Sequence, residues 1–325
     1  MTAKAMTRVL ITGLEGFVGG HLARELVGTG HQELFGSVRG PDIPVDLPLT
    51  GDAVSSCDML DRSAVDDLVA RIKPNAVYHL AGKADLGGSW DAPEETIQAN
   101  VIGTLNVIQA LLHGSPGCRL LAISTAGIYG RMSAEDDAFR EDSPIAPLDP
   151  YSVSKAAAEL LCLQYFASHG LQAVVVRPFN HIGPGQSTRF MVGRLVRQIV
   201  EIESNTRPPV LALGNLSARR DFTDVRDVVR AYQSLMDRGS AGEIYNVSSG
   251  HAVEISQIVN IALKLSRVSI RIEVGDDLIR PLDSPLLVGD SSKLQNLVGW
   301  EPEISIERSI GDALDHARSS VGGGA

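Results

Sequence analysis

Three cysteines in 325 residues are too few, and odd in number, for a disulfide framework. Cys57, Cys118 and Cys162 also form no C-x-x-C pair that could hold zinc, so they are expected as buried thiols. Positive charge is short as well: 29 basic side chains against 39 acidic ones leave −10. That balance opposes sequence-independent binding to nucleic acid over the whole surface and leaves room only for a local anion site. No apolar stretch reaches the roughly 18 residues a membrane span requires. The first residues lead straight into a short apolar run broken by Gly13, so a cytoplasmic protein is expected. There is no internal repeat and no low-complexity tract except the glycine-rich tail, 321–325, which is expected to fray. What remains is 44% hydrophobic and 21% charged, the profile of a folded globular chain. At roughly 100 to 200 residues per domain it holds about two domains.

Short, β-rich apolar runs occur at 9–12, 33–38, 76–80, 119–124, 173–177 and 243–247, most of them nearly continuous, as strands buried on both faces require. Helical spacing separates the early ones. Phe17, Val18, Leu22, Leu26 and Val27 recur at that spacing, Val65, Leu68, Val69 and Ile72 do the same, and 100–112 and 154–167 follow suit. The alternation predicts an α/β fold with a doubly wound parallel sheet. Beyond residue 180 the rhythm changes at Gly183-Pro184-Gly185 and again at Arg207-Pro208-Pro209, with a helix predicted over 192–202. A second, smaller C-terminal domain over the sheet's carboxyl edge is expected. The predicted division is 1–180 with 220–250 for the sheet domain and 181–219 with 251–318 for the smaller one.

Gly13, Gly16 and Gly19 stand three apart between the first predicted strand and helix. Gly13 permits a tight turn, Gly16 lets backbone approach a pyrophosphate, and Gly19 allows close helix packing, while Phe17 and Val18 open the helix whose N–H groups face the anion. This Rossmann-type turn reads as a dinucleotide site; its alternative is a glycine-rich turn without a ligand. Where the second strand ends, an acid that would grip the ribose 2′-hydroxyl of NAD is missing, and Gly36-Ser37-Val38-Arg39 stands instead. Ser37 and Arg39 point to the 2′-phosphate of NADP, NAD being possible; otherwise Arg39 is a loop arginine facing solvent. Asp58, next to Met59, suits the adenine amino group, or an ordinary turn.

Tyr151 and Lys155 lie one helical turn apart, after Pro150, and Ser124-Thr125 ends a strand 26 residues before Tyr151. At i and i+4 the phenol and the ammonium share a face, and the ammonium is expected to lower the phenol's pKa. Thr125 would hydrogen-bond a substrate oxygen. A Y-x-x-x-K match alone is common, its alternative being a pair on a helix surface.

Taken together, 12–19, His79-Leu80-Ala81-Gly82, Ser124-Thr125, 151–155 and Arg177-Pro178-Phe179-Asn180 resemble the extended short-chain dehydrogenase/reductases that modify nucleotide sugars. The blocks at 177–186 and 214–225 are most similar to those of the GDP-4-keto-6-deoxy-D-mannose reductases. The resemblance implies that Leu80, Ala81 and Gly82 line the coenzyme and that Asn100 helps seat the catalytic lysine. It also implies that Asn180 and Arg220, with Arg280 as a second clamp, hold the diphosphate; Arg220 could instead pair with Asp221 or Asp224. Glu201 lies where a carboxylate could accept from guanine. The implied activity is reduction of the C4 ketone of a GDP-linked keto-deoxy-sugar, with Thr125, Tyr151, Lys155 and Ser124 as catalytic residues, by a homodimer with no metal, nucleic-acid or membrane partner. A nucleotide-sugar 4-epimerase with tightly held NAD, or a dehydratase, is the alternative within the family, and a non-catalytic dinucleotide sensor lies outside it. One departure stands out: dehydratases carry acids immediately after the catalytic Thr, and many of the reductases keep an acid nearby, where this chain has Ala126-Gly127.

Overall fold

The computed structural model describes residues 7–30, 32–44, 47–133, 137–275 and 284–322. The chain begins β1 (Thr7–Thr12), α1 (Phe17–Thr29), β2 (Gln32–Val38), β3 (Val54–Ser56), α2 (Arg62–Ile72), β4 (Ala76–His79), α3 (Gly88–Asp91), α4 (Pro93–Ile97), α5 (Gly103–Gly114), β5 (Arg119–Ile123), α6 (Pro150–His169) and β6 (Gln172–Pro178). It continues β7 (Asn180–Ile182), α7 (Met191–Glu203), β8 (Val210–Leu213), β9 (Arg219–Asp224), α8 (Val225–Arg238), β10 (Ile244–Val247), β11 (Ala252–Glu254), α9 (Ile255–Lys264), β12 (Arg271–Val274), β13 (Leu286–Leu287), α10 (Ser292–Val298) and α11 (Ile306–Gly322). Of the tail expected to fray, 323–325 lie outside the described residues.

Seven parallel strands form the expected doubly wound sheet, in the order β10-β6-β5-β4-β1-β2-β3. The direction of winding reverses between β1 and β4, and the crevice outside the strands' carboxyl ends at such a point is where open α/β sheets receive ligands. One face is covered by α1 and α8, through Leu22, Leu26, Val228, Tyr232 and Leu235. The other is covered by α2, α5 and α6, through Val65, Leu68, Ile108, Leu111 and Cys162. Each such fully buried aliphatic side chain stabilises the fold by roughly 1.5 to 3 kcal/mol. All three cysteines are buried and free.

The helix ends follow from local sequence. Asp149 caps α6, accepting from Ser152 N at 2.8 Å, Pro150 occupies the first helical position, and Gly170 ends the helix in the left-handed conformation. A separate core of Ile182, Leu195, Ile199, Leu211, Phe222, Ile258, Ile310 and Leu314 gathers β7, α7, β8, β9, α9 and α11 into a smaller unit. One stretch departs from the expected grouping of 251–318. Leu294 and Trp300 join the core on the α8 face, because Trp300 Nε1 donates to Asp227 O at 2.9 Å and the Asp227 carboxylate accepts from Glu303 N and Ile304 N. Among the described residues, no helix is long and apolar enough to cross a membrane.

Candidate active site

The exits of β1, β4, β5 and β6 meet at one edge. Gly13 turns the chain away from β1 at φ +71°, and a Cβ there would stand 2.8 Å from Ala81 N, so only glycine lets this turn lie against Leu80 and Ala81. Leu80 N donates to Thr12 O and Ala81 N to Thr12 Oγ1, each at 3.2 Å. α1 begins at Gly16 with no side-chain cap and no acid in its first turn. A Cβ on Gly16 would meet only Gly13 O, at 3.1 Å, so open ground lies above uncapped N–H groups of the first turn, Phe17, Val18 and Gly19. That cradle fits the pyrophosphate of a dinucleotide.

At the end of β2 the two expected phosphate contacts part company. Ser37 is 1% exposed, and its hydroxyl is buried without a partner. The glycine-rich turn covers it, with Leu14 N donating to Ser37 O at 3.0 Å, so Ser37 does not stand beside Arg39 at the surface. Arg39 is 66% exposed, with Nε 3.5 Å from Asp58 Oδ2. Asp58 lies in the turn beyond β3 and accepts from Leu60 N. The Met59 side chain is buried in the core under α5 instead of lining the crevice.

Thr125 caps a tight 3-10 turn, Ala126–Tyr129, accepting from Gly127 N at 3.2 Å. Its side chain hydrogen-bonds the Tyr151 hydroxyl, while burial pushes that phenol up to about 12 and Asp149 adds to the rise. The Lys155 ammonium donates to Ile123 O at 2.8 Å, and burial lowers it to about 8. The expected lowering of Tyr151 by Lys155 is therefore not what this geometry produces. The ammonium is aimed at a carbonyl, and desolvation of the phenol outweighs the bond that opposes it. Ser124's buried hydroxyl is unpartnered beside a cavity of about 10 Å³ shared with His79, Thr104 and Glu159.

Asn100 sits in a π-helical turn, Gln98–Ile102, between α4 and α5. Its amide bridges Lys83 N and O and donates to Ser154 Oγ at 2.8 Å, so it holds the neighbour of Lys155 and not the lysine. A Cβ on Gly82 would stand 2.6 Å from Asn100 Oδ1 and 4.0 Å from Lys155 Nζ, so these three residues share one tight junction. His79, read from the sequence only as part of a block, supports it from below. Thr104 Oγ1 donates to Asn100 O and so accepts from His79 Nε2 at 3.1 Å, leaving His79 Nδ1 to accept from Thr12 Oγ1 at 2.9 Å. Burial lowers this imidazole to about 3.

On the facing side, Asn180 opens β7 and the His181 ring stacks on Phe17, centroids 6.1 Å apart. His21 Nε2 meets Pro184 O at 2.9 Å. The coenzyme turn and the start of the smaller unit are thus in direct contact. Arg220 lies on β9 and donates to Arg219 O. The two acids beside it are engaged elsewhere: Asp221 accepts from Ser249 N, Ser249 Oγ and Gly250 N, and Asp224 holds Arg226. Glu201 on α7 faces Arg197 at 2.7 Å and Arg207 at 3.6 Å. Arg280 lies outside the described residues. Sequence reading missed Asp149, although an Asp-Pro pair before a helix is a start signal, and it missed Glu15, whose carboxylate accepts from Arg39 N at 2.9 Å. Among the described residues, no group of three potential ligands could hold a metal ion.

Known proteins resemble this chain over nearly its whole length. The family model described as GDP-mannose 4,6 dehydratase matches residues 10–313. A GDP-6-deoxy-D-mannose reductase of Pseudomonas aeruginosa is 34% identical over 97% of this chain and 98% of its own. The solved structure of RMD from Pseudomonas aeruginosa complexed with NADPH superimposes with a TM-score of 0.85 at 33% identity, over 97% of this chain and 100% of that one. The UDP-glucose 4-epimerase of Thermus thermophilus, complexed with NAD, gives 0.84 at 26% identity, over 97% and 100%.

Proposed function

Since the chain belongs to the GDP-mannose 4,6-dehydratase family of extended short-chain dehydrogenase/reductases, we propose that this NAD(P)-dependent enzyme reduces the C4 ketone of a GDP-4-keto-6-deoxyhexose. The P. aeruginosa relative is named for the reductase class, and its solved counterpart holds NADPH. The observation that carries the reading is Gly127. A Cβ there would stand 2.5 Å from Ser152 Oγ, so a side chain at this position, which carries an acid in dehydratases, would require the Ser152 hydroxyl to move.

A bound reduced nicotinamide supplies the hydride. Gly13, Gly16 and Gly19, with the N–H groups of Phe17 and Val18, hold the pyrophosphate. Thr125 and Tyr151, already joined by a hydrogen bond, present two hydroxyls to the ketone oxygen. The phenol is neutral at working pH and gives that oxygen its proton; such general acids typically contribute roughly 10²- to 10⁴-fold. Lys155 keeps a positive charge under the site while Ile123 O fixes its direction. Asn180 and Arg220 bind the GDP diphosphate, Arg220 by its planar fork.

We assign 1–180 with 220–250, together with α10, to the coenzyme domain and the remainder after 180 to the sugar-nucleotide domain. Ile97 and Ile102 around the π turn, and Val153 and Leu160 on α6, leave apolar side chains exposed. These faces support a homodimer.

The coenzyme ledger tests the reaction. A reductase consumes one NADPH per product, whereas an epimerase or dehydratase returns the hydride within the cycle. Purified protein is expected to leave GDP-mannose unchanged and to oxidise NADPH stoichiometrically once a GDP-mannose dehydratase supplies the 4-keto-6-deoxy intermediate. Conversion of an unmodified GDP- or UDP-hexose without net coenzyme consumption would overturn it.

A further inference from the structure

In a Rossmann fold the end of the second strand receives the adenosine ribose, and the residue there reads the 2′ position. A carboxylate accepts from the hydroxyl of NAD; an arginine accommodates the phosphate of NADP. β2 ends at Val38 without an acid, yet the structure brings a carboxylate to the same place from the glycine-rich turn. Glu15 stands between Gly13 and Gly16, and the bond from Leu14 N to Ser37 O lays that turn along the strand's end. From there Glu15 Oε1 accepts from Arg39 N at 2.9 Å. Asp58 Oδ2 stands 3.5 Å from the guanidinium Nε of the same arginine. One exposed arginine therefore has a carboxylate on its backbone amide and another at its guanidinium, with Ser37 buried beside it.

We infer that Glu15 determines coenzyme specificity, supplying the carboxylate that β2 lacks: it accepts the 2′-hydroxyl of NADH and opposes the 2′-phosphate of NADPH. The inference rests on the coenzyme part of the proposed function and on none of its sugar chemistry. A 2′-phosphate brings close to two negative charges at neutral pH, as phosphate monoesters do. Arg39, being exposed, can swing its guanidinium to meet them. Glu15 cannot leave as freely, because its carboxylate is tied to a backbone amide. The enzyme therefore takes both coenzymes, with a preference for NADPH smaller than Arg39 alone would give.

Glu15→Gln tests this without disturbing the turn, since the amide oxygen still accepts from Arg39 N while the charge is gone. Dissociation constants for NADPH and NADH are measured by calorimetry on wild-type and variant protein, with no sugar nucleotide present. The ratio of the NADH constant to the NADPH constant is expected to rise roughly tenfold in the variant, as a nearby like charge is removed in a water-exposed setting. That gain should shrink between about 0.05 and 0.5 M salt, where screening shortens from over 10 Å to a few ångströms. A ratio within twofold of wild type, or an equal change for both dinucleotides, overturns the assignment. If wild-type protein binds neither, the coenzyme reading and this inference fall together. Failure to reduce a GDP-sugar touches only the proposed substrate.

Discussion

Glu159 and Arg177 meet at 2.5 Å in a place where neither side chain is more than 2% exposed. The pair is bidentate, with Arg177 Nε 3.1 Å from the second carboxylate oxygen. The rest of the guanidinium donates to Tyr129 OH at 2.8 Å and Glu141 O at 2.9 Å, and Tyr129 OH donates on to Asn246 Oδ1. This network fastens β6 to α6 one helical turn beyond Lys155, so it fixes the helix that carries the acid.

Breaking one half of it leaves a buried charge without its counterion, which costs about 3 to 5 kcal/mol, while replacing both halves by apolar groups is often close to neutral. Glu159→Gln is therefore expected to lose a few kcal/mol in denaturant unfolding, and Glu159→Leu with Arg177→Met to recover most of it. A single substitution that leaves the midpoint unchanged would mean the pair is not held as an ion pair.

Tyr151→Phe should fold normally, bind coenzyme and lose at least about 10²-fold in turnover, because the ring stays and the transferable proton goes. Burial holds the phenol up at about 12 and the ammonium of Lys155 down at about 8. The group that titrates in the working range is thus Lys155. Turnover of the wild-type protein is expected to fall as pH rises through about 8; a profile flat to pH 10 would remove Lys155's charge from the mechanism.

Much of this was legible in the sequence. Near-continuous apolar runs separated by helical spacing announce a parallel sheet because strands buried on both faces have no polar side to show. The glycine spacing and the Tyr151 and Lys155 pair are likewise local signals. What escaped was set by packing between distant segments. Ser37 reads as an exposed strand end, but the turn at Leu14 covers it. Lys155 lies at the right spacing for Tyr151, yet the nearest acceptor for its ammonium is on β5. Trp300 is 73 residues from the Asp227 carbonyl that draws its segment onto the large core.

GDP is expected to compete with the sugar nucleotide far better than UDP, given the resemblance of the blocks at 177–186 and 214–225 to those of GDP-sugar reductases. Arg220→Ala should weaken GDP by about 1.5 to 3 kcal/mol as one charge-assisted contact is lost. Calorimetry with both nucleotides checks this, and tighter binding of UDP would move the substrate to another class while leaving the fold untouched.

His79 makes acid stability predictable. Its imidazole is neutral in the fold, with Nδ1 accepting from Thr12, and it would protonate only near pH 3, against about 6.5 when unfolded. Between those values the unfolded chain binds the extra proton, so this residue's contribution falls as pH falls, by about 1.4 kcal/mol per unit. The stability gap between wild type and His79→Asn should narrow by about 3 kcal/mol from pH 7 to pH 4. A constant gap would show that His79 is charged in the folded protein.

Gly127 gives the sharpest test of reaction type. Ser152, which a Cβ at that position would strike, is fully buried, and its hydroxyl and N–H both bond the Asp149 carboxylate at 2.9 and 2.8 Å. Turning the serine hydroxyl away would give up its bond to the Asp149 carboxylate that caps α6, and Tyr151 sits between cap and serine. Gly127→Ala is therefore expected to cut turnover at least tenfold, a displacement of the acid of well under 1 Å being enough for that, while coenzyme affinity stays put. Gly127→Glu should gain no elimination activity, because its Cβ would collide with Ser152 Oγ and Ala126 still supplies no second acid. Adding Ser152→Ala to Gly127→Ala removes the colliding oxygen and should restore part of the loss. Full activity in Gly127→Ala alone would show that the floor of the site can yield, and that the absence of an acid there does not by itself commit the enzyme to net reduction.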